Sequence, residues 1–119
     1  MGDFHDLKVW QKAHELTLQI YRTTADFPPT ERYGLTPQLR RACASIAANL
    51  AEGCGRNGTA ELARFSSIAL GSANEVAYYL LLSKDLNLIP NPDYEALNHR
   101  ITQIKRMLAA LIHTLRTDS

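Results

Sequence analysis

The side chains with which this chain could do chemistry are four histidines, six glutamates, two cysteines and one glycine-rich stretch, Gly53-Cys54-Gly55-Arg56-Asn57-Gly58. His5, His14, His99 and His113 lie in three separate parts of the chain with no paired spacing. That is the pattern of surface or boundary residues rather than of a general base with its orienting partner. Ferritin-like bundles hold metals through Glu-x-x-His pairs, whose side chains share a helical face. Three places after Glu15, Glu31, Glu52, Glu61, Glu75 and Glu95 stand Leu18, Gly34, Gly55, Arg64, Tyr78 and Asn98, so no such pair exists. The glycine-rich stretch lacks the Lys and the Ser or Thr of a phosphate-binding loop and follows no strand. Cys43 and Cys54 fall eleven residues apart in one helical pattern, about 16 Å along the axis and too far for a disulfide. Reduced structural thiols are expected. The chain is therefore expected not to be an enzyme, and to hold no metal and no cofactor.

Cations are the remaining chemistry. Arg40 and Arg41, with Arg56 and Arg64, form one group that could meet phosphates; Arg100, Lys105 and Arg106 form a second. Each group has a plainer reading. For the first it is a salt-bridge network between subunits, favoured for Arg41; for the second it is a solvated helix face. With 13 basic against 12 acidic residues the net charge is +1, which excludes a strongly basic nucleic-acid binder acting as a lone monomer. Repetition in an oligomer adds avidity without a new contact. An oligomer would carry only about +1 per copy, so any nucleic-acid binding should be weak and salt-sensitive.

The elements that must position these residues are helices. A length of 119 residues suits one domain, spanning 1–119. Leu (17) and Ala (15) dominate the apolar share while Val contributes 2, a balance that favours helix over strand. A first helix is expected from a cap at Asp3 or Asp6 to about Asp26, with Val9, Trp10, Ala13, Leu16 and Ile20 as its apolar stripe. Phe27-Pro28-Pro29 stops it. A loop from Thr30 to Leu35 leads to Thr36-Pro37, which reads as the cap and first residue of a second helix ending near Gly53. Thr59 reads as the cap of a third helix that reaches about Leu86, with Asn87 as its C-terminal cap. Asn91-Pro92 opens a fourth, whose buried face is Leu97, Ile101, Ile104, Leu108, Leu111, Ile112 and Leu115. Short connections make sequential helices neighbours, so the expected fold is all-α, an antiparallel up-down-up-down four-helix bundle.

One bundle does not account for the second and third helices. Arg41, Ser45, Asn49, Glu52 and Arg56 follow one another at spacings of three and four, a continuous polar stripe embedded among Ala44, Ala47, Ala48 and Ala51. The third helix carries Leu62, Phe65, Ala69, Val76 and Leu80 on one side and Ala63, Leu70, Ala77 and Leu81 on another, with Glu75 the only charge between Phe65 and Ser83. Ser67 and Gly71 are small enough for another helix to come close. Solvated faces usually carry Lys and Glu in quantity. The sparse, mostly Arg charges here suit a subunit contact instead, built from Arg41, Ser45, Asn49, Glu52, Arg56, Ser67, Gly71 and Glu75. A homo-oligomer follows. The stretch from Phe65 to Ser83 is about long enough to span a bilayer, but Ser66, Ser67, Ser72, Asn74 and Glu75 would be costly there. With no signal-peptide pattern at Met1–Asp6, a cytoplasmic chain without membrane contact is expected.

Several runs resemble a known family. Phe4, Leu7 and Val9-Trp10-Gln11-Lys12-Ala13, then Tyr33-Gly34-Leu35-Thr36 and Gln38-Leu39-Arg40-Arg41-Ala42, are similar to the four-helix-bundle proteins called 23S ribosomal RNA intervening-sequence proteins. The most specific part is Ser45-Ile46, Asn49-Leu50-Ala51-Glu52-Gly53 and Gly55-Arg56, followed by Phe65, Ala69, Gly71-Ser72 and Glu75. Leu50 stands where Ile is usual. The resemblance implies a closed bundle and, through the related accessory proteins of diversity-generating retroelements, a homopentameric ring with a central channel. It also implies binding of RNA or DNA and of a protein partner through basic surface, for which Arg40, Arg64, Arg100, Lys105 and Arg106 are the candidates. A protein-interaction scaffold that binds no nucleic acid is the alternative.

Overall fold

Four helices account for most of the computed structural model, which describes residues 2–118 and contains no strand among them. They are α1 (Lys8–Thr24), α2 (Leu35–Cys54), α3 (Thr59–Asp85) and α4 (Asn91–Thr117), with single 3-10 turns at Phe4–Asp6 and Pro29–Glu31. Each helix packs on its neighbour in sequence, and α1 packs on α4 to close the bundle. Residue pairs give the directions. Thr17 reaches Cys43 and Arg40 reaches Thr24 across α1 and α2; Ser45 meets Ser72 and Gly53 meets Phe65 across α2 and α3; Arg116 meets Ser67 and Lys84 meets Tyr94 across α3 and α4. In each pair of helices one number rises as the other falls, so neighbours run antiparallel, as the short connections require.

α4 opens at Asn91 as expected, but the other three helix starts differ from the sequence expectation. Asp3 caps the first 3-10 turn by accepting from His5 N at 3.0 Å. The chain then passes through an extended Leu7, and α1 begins only at Lys8. It ends at Thr24 rather than Asp26, since tightened bonds from Asp26 N to Thr23 O and Phe27 N to Thr24 O turn the chain towards the prolines. Part of the expected loop is the second 3-10 turn, and its Glu31 supplies the cap of α2: Oε1 accepts from Leu35 N at 3.1 Å. Thr36 therefore lies inside the helix. Gly58, at φ 91°, precedes α3, so Thr59 is its first residue rather than its cap. Asn87 does close α3: at φ 61° it lets Leu88 N reach Ser83 O at 2.8 Å and Asn87 N reach Lys84 O at 2.9 Å, the paired bonds of a left-handed helix terminus.

The core is one continuous cluster. Leu16 and Ile20 of α1, Leu39, Ile46 and Leu50 of α2, Val76 and Leu80 of α3, and Leu97, Ile101, Ile104 and Leu108 of α4 are fully enclosed. Leu111 is only half-buried. The second apolar side of α3 proves to belong largely to the bundle. Ala63 packs with Leu115 of α4, and Leu70 and Ala77 pack against the main core. The reason is position: α3 lies between α2 and α4 and must present a flank to each. Gly53 lets α2 and α3 come close, since a Cβ there would stand 2.9 Å from Phe65 Cβ.

Candidate functional site

Two surfaces carry the candidate residues, and the two cysteines stand apart from them. Burial pushes the Cys43 thiol up to about 11 against a partial opposing hydrogen bond from Thr17, and burial also raises Cys54. Both are thus held in the poorly nucleophilic thiol form, and neither is in a disulfide. Among the described residues no three His, Cys, Asp or Glu side chains are placed to share a metal ion. His5 Nδ1 sits 2.6 Å from Asp3 Oδ1, and this contact holds the exposed Asp3 carboxyl below its usual range. It orders the first turn.

The first surface is the outward side of α2 and α3. Ser45 Oγ shares a 2.9 Å hydrogen bond with Ser72 Oγ, and Asn49 Nδ2 donates to Ser45 O at 2.8 Å and to its Oγ at 2.9 Å. Ser45 thus ties α2 to α3 within the chain, and Asn49 holds Ser45 from one turn along α2. Arg56 Nε donates to Glu52 at 3.2 Å, and Arg64 Nε donates to Glu61 at 2.8 Å, both within a single helix or its end. The Arg64 bond holds the Glu61 carboxyl below its ordinary range and raises Arg64. Both arginines also lie over the Phe65 ring. Ser67 accepts from Arg116 Nη2 at 3.1 Å.

Arg41 and Glu75 behave differently. Arg41 donates to Gln38, and among the described residues neither Arg41 nor Glu75 enters an ion pair. The Ser45–Ser72 register sets them at one level across the seam between α2 and α3. Around them the surface is small or apolar: Ala48 and Gly71 are exposed, Ile68 is 43% exposed and Tyr78 57%. Space beyond Gly71 is open: a methyl group added there would have nothing within 4 Å.

The second surface is cationic. It is not the group of Arg100, Lys105 and Arg106 as a unit, because successive residues turn about 100° around a helix and α4 points these three to different sides. Arg100 instead joins Lys12, Glu15 and His99 in a hollow between α1 and α4. The structure places Arg40 in a cluster that the sequence pattern missed, at the end of the bundle where α1 finishes and α2 starts. Arg40 Nε donates to Thr24 Oγ1 at 2.7 Å, Nη2 donates to Tyr21 O at 3.1 Å, and its guanidinium carbon lies 4.5 Å from the centre of the Tyr21 ring. Arg32 and Arg41 line the same hollow of about 510 Å³. Tyr21, Arg32 and Arg40 come from three segments, so no local spacing signals them.

The fold has known counterparts. The family described as 23S rRNA-intervening sequence protein matches residues 5–110. A crystal structure of a protein of unknown function from the S23 ribosomal protein family of Bacteroides thetaiotaomicron VPI-5482 is similar, with a TM-score of 0.79 and 28% sequence identity. The likeness covers 87% of this chain and 97% of that one. No curated protein matches the chain. No helix among the described residues is long and apolar enough to cross a membrane.

Proposed function

This chain belongs to the 23S rRNA-intervening sequence protein family, and on that premise we propose that it works without catalysis, as a homo-oligomeric bundle that presents basic side chains to RNA or DNA in the cytoplasm. The observation that carries the assembly is the outward side of α2 and α3: Arg41 and Glu75, without ion partners among the described residues, set among Ala48, Ile68, Gly71 and Tyr78. Opposite charges in a small-residue, apolar surround suit a head-to-tail contact in which Arg41 of one copy meets Glu75 of the next. A ring of five is the arrangement that the family resemblance favours. The phosphate contacts are assigned to Arg40, Arg64, Arg100, Lys105 and Arg106, repeated around the assembly so that modest patches act together.

Light scattering at micromolar concentration tests the assembly, with a mass near five times the 13.3 kDa chain expected. Arg41→Glu and Glu75→Arg should each lower that mass, and the double charge reversal should restore it. A mass near 13.3 kDa for the unaltered chain sinks the proposal. An assembly that shifts no oligonucleotide at low salt is the protein-interaction scaffold instead.

A further inference from the structure

We propose that the hollow between the end of α1 and the start of α2 is a binding site for single-stranded nucleic acid, in which a base stacks on the Arg40–Tyr21 pair and phosphates lie on Arg32 and Arg40. The inference rests on the nucleic-acid reading above and gives it a location and a strand preference.

Three observations support the site. First, its lining holds Arg32, Arg40 and Arg41 with Tyr21, Thr36 and Pro37, and no carboxylate. Glu31, which stands next to Arg32 in sequence, is committed to Leu35 N. Second, Arg40 is fixed before any ligand arrives. Its bonds to Thr24 and to the Tyr21 carbonyl hold the guanidinium over the Tyr21 ring. A guanidinium stacked on an aromatic ring is a flat cationic plate, a surface on which an unpaired base stacks whatever its identity. Third, a second hollow of about 270 Å³ adjoins the first and shares Arg32, Thr36 and Arg40 with it, and its far wall is Phe27, Pro28 and Pro29. Two apolar recesses flanking a shared pair of arginines match the alternation of bases and phosphates along one strand. A duplex, whose bases are stacked on one another, offers nothing to either recess. Tyr33, 90% exposed beside Arg32, extends the aromatic surface. Arg41 at the rim is left to the contact between copies, and the site does not depend on it.

The test is fluorescence anisotropy of the full-length chain with labelled oligothymidylate and oligouridylate about twelve nucleotides long and a DNA duplex of equal length. Both single strands should bind at least about fivefold more tightly than the duplex, as expected when stacking contributes. Tyr21→Leu keeps the backbone carbonyl that holds Arg40 but removes the ring. It should weaken single-strand binding about tenfold, with the salt dependence unchanged. Arg32→Ala should weaken binding and also flatten the slope of log affinity against log salt by about 0.7, one phosphate contact on a single strand. Thermal melts of both variants should match the unaltered chain. Equal binding of duplex and single strand overturns the inference, as does binding insensitive to both substitutions. If Arg100→Glu abolishes that insensitive binding, the wider nucleic-acid reading survives while this site falls. No binding by any probe at about 20 mM salt, where charge screening is weak, ends both.

Discussion

α3 and α4 have the same length, 27 residues each, and use it in opposite ways. α4 buries one stripe, Leu97, Ile101, Ile104, Leu108, Ile112 and Leu115, and covers its outer side with His99, Arg106 and His113. α3 buries a wider arc because helices flank it on both sides, yet its third side still shows Ile68, Gly71, Tyr78 and Leu81, relieved by Asn74 and by a single charge, Glu75, between Phe65 and Ser83. Apolar content alone does not reveal an unfinished surface, since Ala63, Leu70 and Ala77 are absorbed within the chain. What remains after each neighbouring helix has taken its flank is the informative part. On α4 nothing remains; on α3 a stripe does.

The largest expected effects break or uphold that contrast directly. Leu108→Ala on α4 removes a fully enclosed side chain and should cost about 2–5 kcal/mol in urea unfolding. Tyr78→Lys on α3, in a chain kept monomeric by Arg41→Glu, should change stability by less than about 0.5 kcal/mol. Equal losses at the two positions would mean that the outer side of α3 is core after all. Next in size is a pH effect on α2, the other helix of the proposed contact. Cys43 stays protonated to about 11 in the fold against an ordinary value of 9.0. A folded value above the unfolded one gives stability that is complete below pH 9 and lost as pH climbs to about 11, at about 1.4 kcal/mol per unit. Denaturant titrations across that window should show the slope in the unaltered chain and a shallower one in Cys43→Ala. Cys54, half-buried, should react with thiol reagents well before Cys43 does.

Gly71→Ala gives a smaller effect whose sign depends on assembly. The added methyl meets nothing within 4 Å in the single chain. In the Arg41→Glu background it should therefore stabilise by about 1 kcal/mol through helix propensity. In the unaltered background the same methyl stands where another copy approaches, and it should lower the mass seen by light scattering. Stabilisation with no loss of mass would remove Gly71 from the contact.

Much of the fold is legible in the sequence because its signals are local. Proline pairs, Asn87 and the apolar stripes of α1 and α4 each act within a turn or two of chain, and the structure keeps them. The caps are not legible in the same way: Glu31 reaches Leu35 N from a 3-10 turn whose existence no pattern marks. The two-sided apolar pattern of α3 reads as surplus on a helical wheel because a wheel shows directions, not occupants; only the fold shows that α4 fills one of them. The cationic end is the least legible part. Arg40 is visible as a charge, but Tyr21 and Arg32 join it through the meeting of α1, the second 3-10 turn and α2. Conversely, Arg100, Lys105 and Arg106 are close in sequence and apart in space.

The smallest expected effect is also the most local report on whether the open side of α3 is occupied. Glu61 and Arg64 are both on the solvent side of the first turns of α3, and their hydrogen bond holds the Glu61 carboxyl below its ordinary value of 4.5. A depressed folded value means that the pair's contribution is present above the ordinary carboxylate range and is lost as pH falls through the folded value. Salt and solvent keep such an exposed pair weak, so its use lies in titration rather than in stability. In Arg64→Ala, the Glu61 carbon resonance should titrate at a higher pH than in the unaltered chain. If nucleic acid or a neighbouring copy takes Arg64, the same upward movement should occur on binding, with Arg64 still in place. A Glu61 titration that ignores saturating oligonucleotide removes Arg64 from the phosphate contacts. One that also ignores dissociation of the assembly by Arg41→Glu leaves the Glu61–Arg64 pair as a solvated feature of α3, no different in kind from the outer charges of α4.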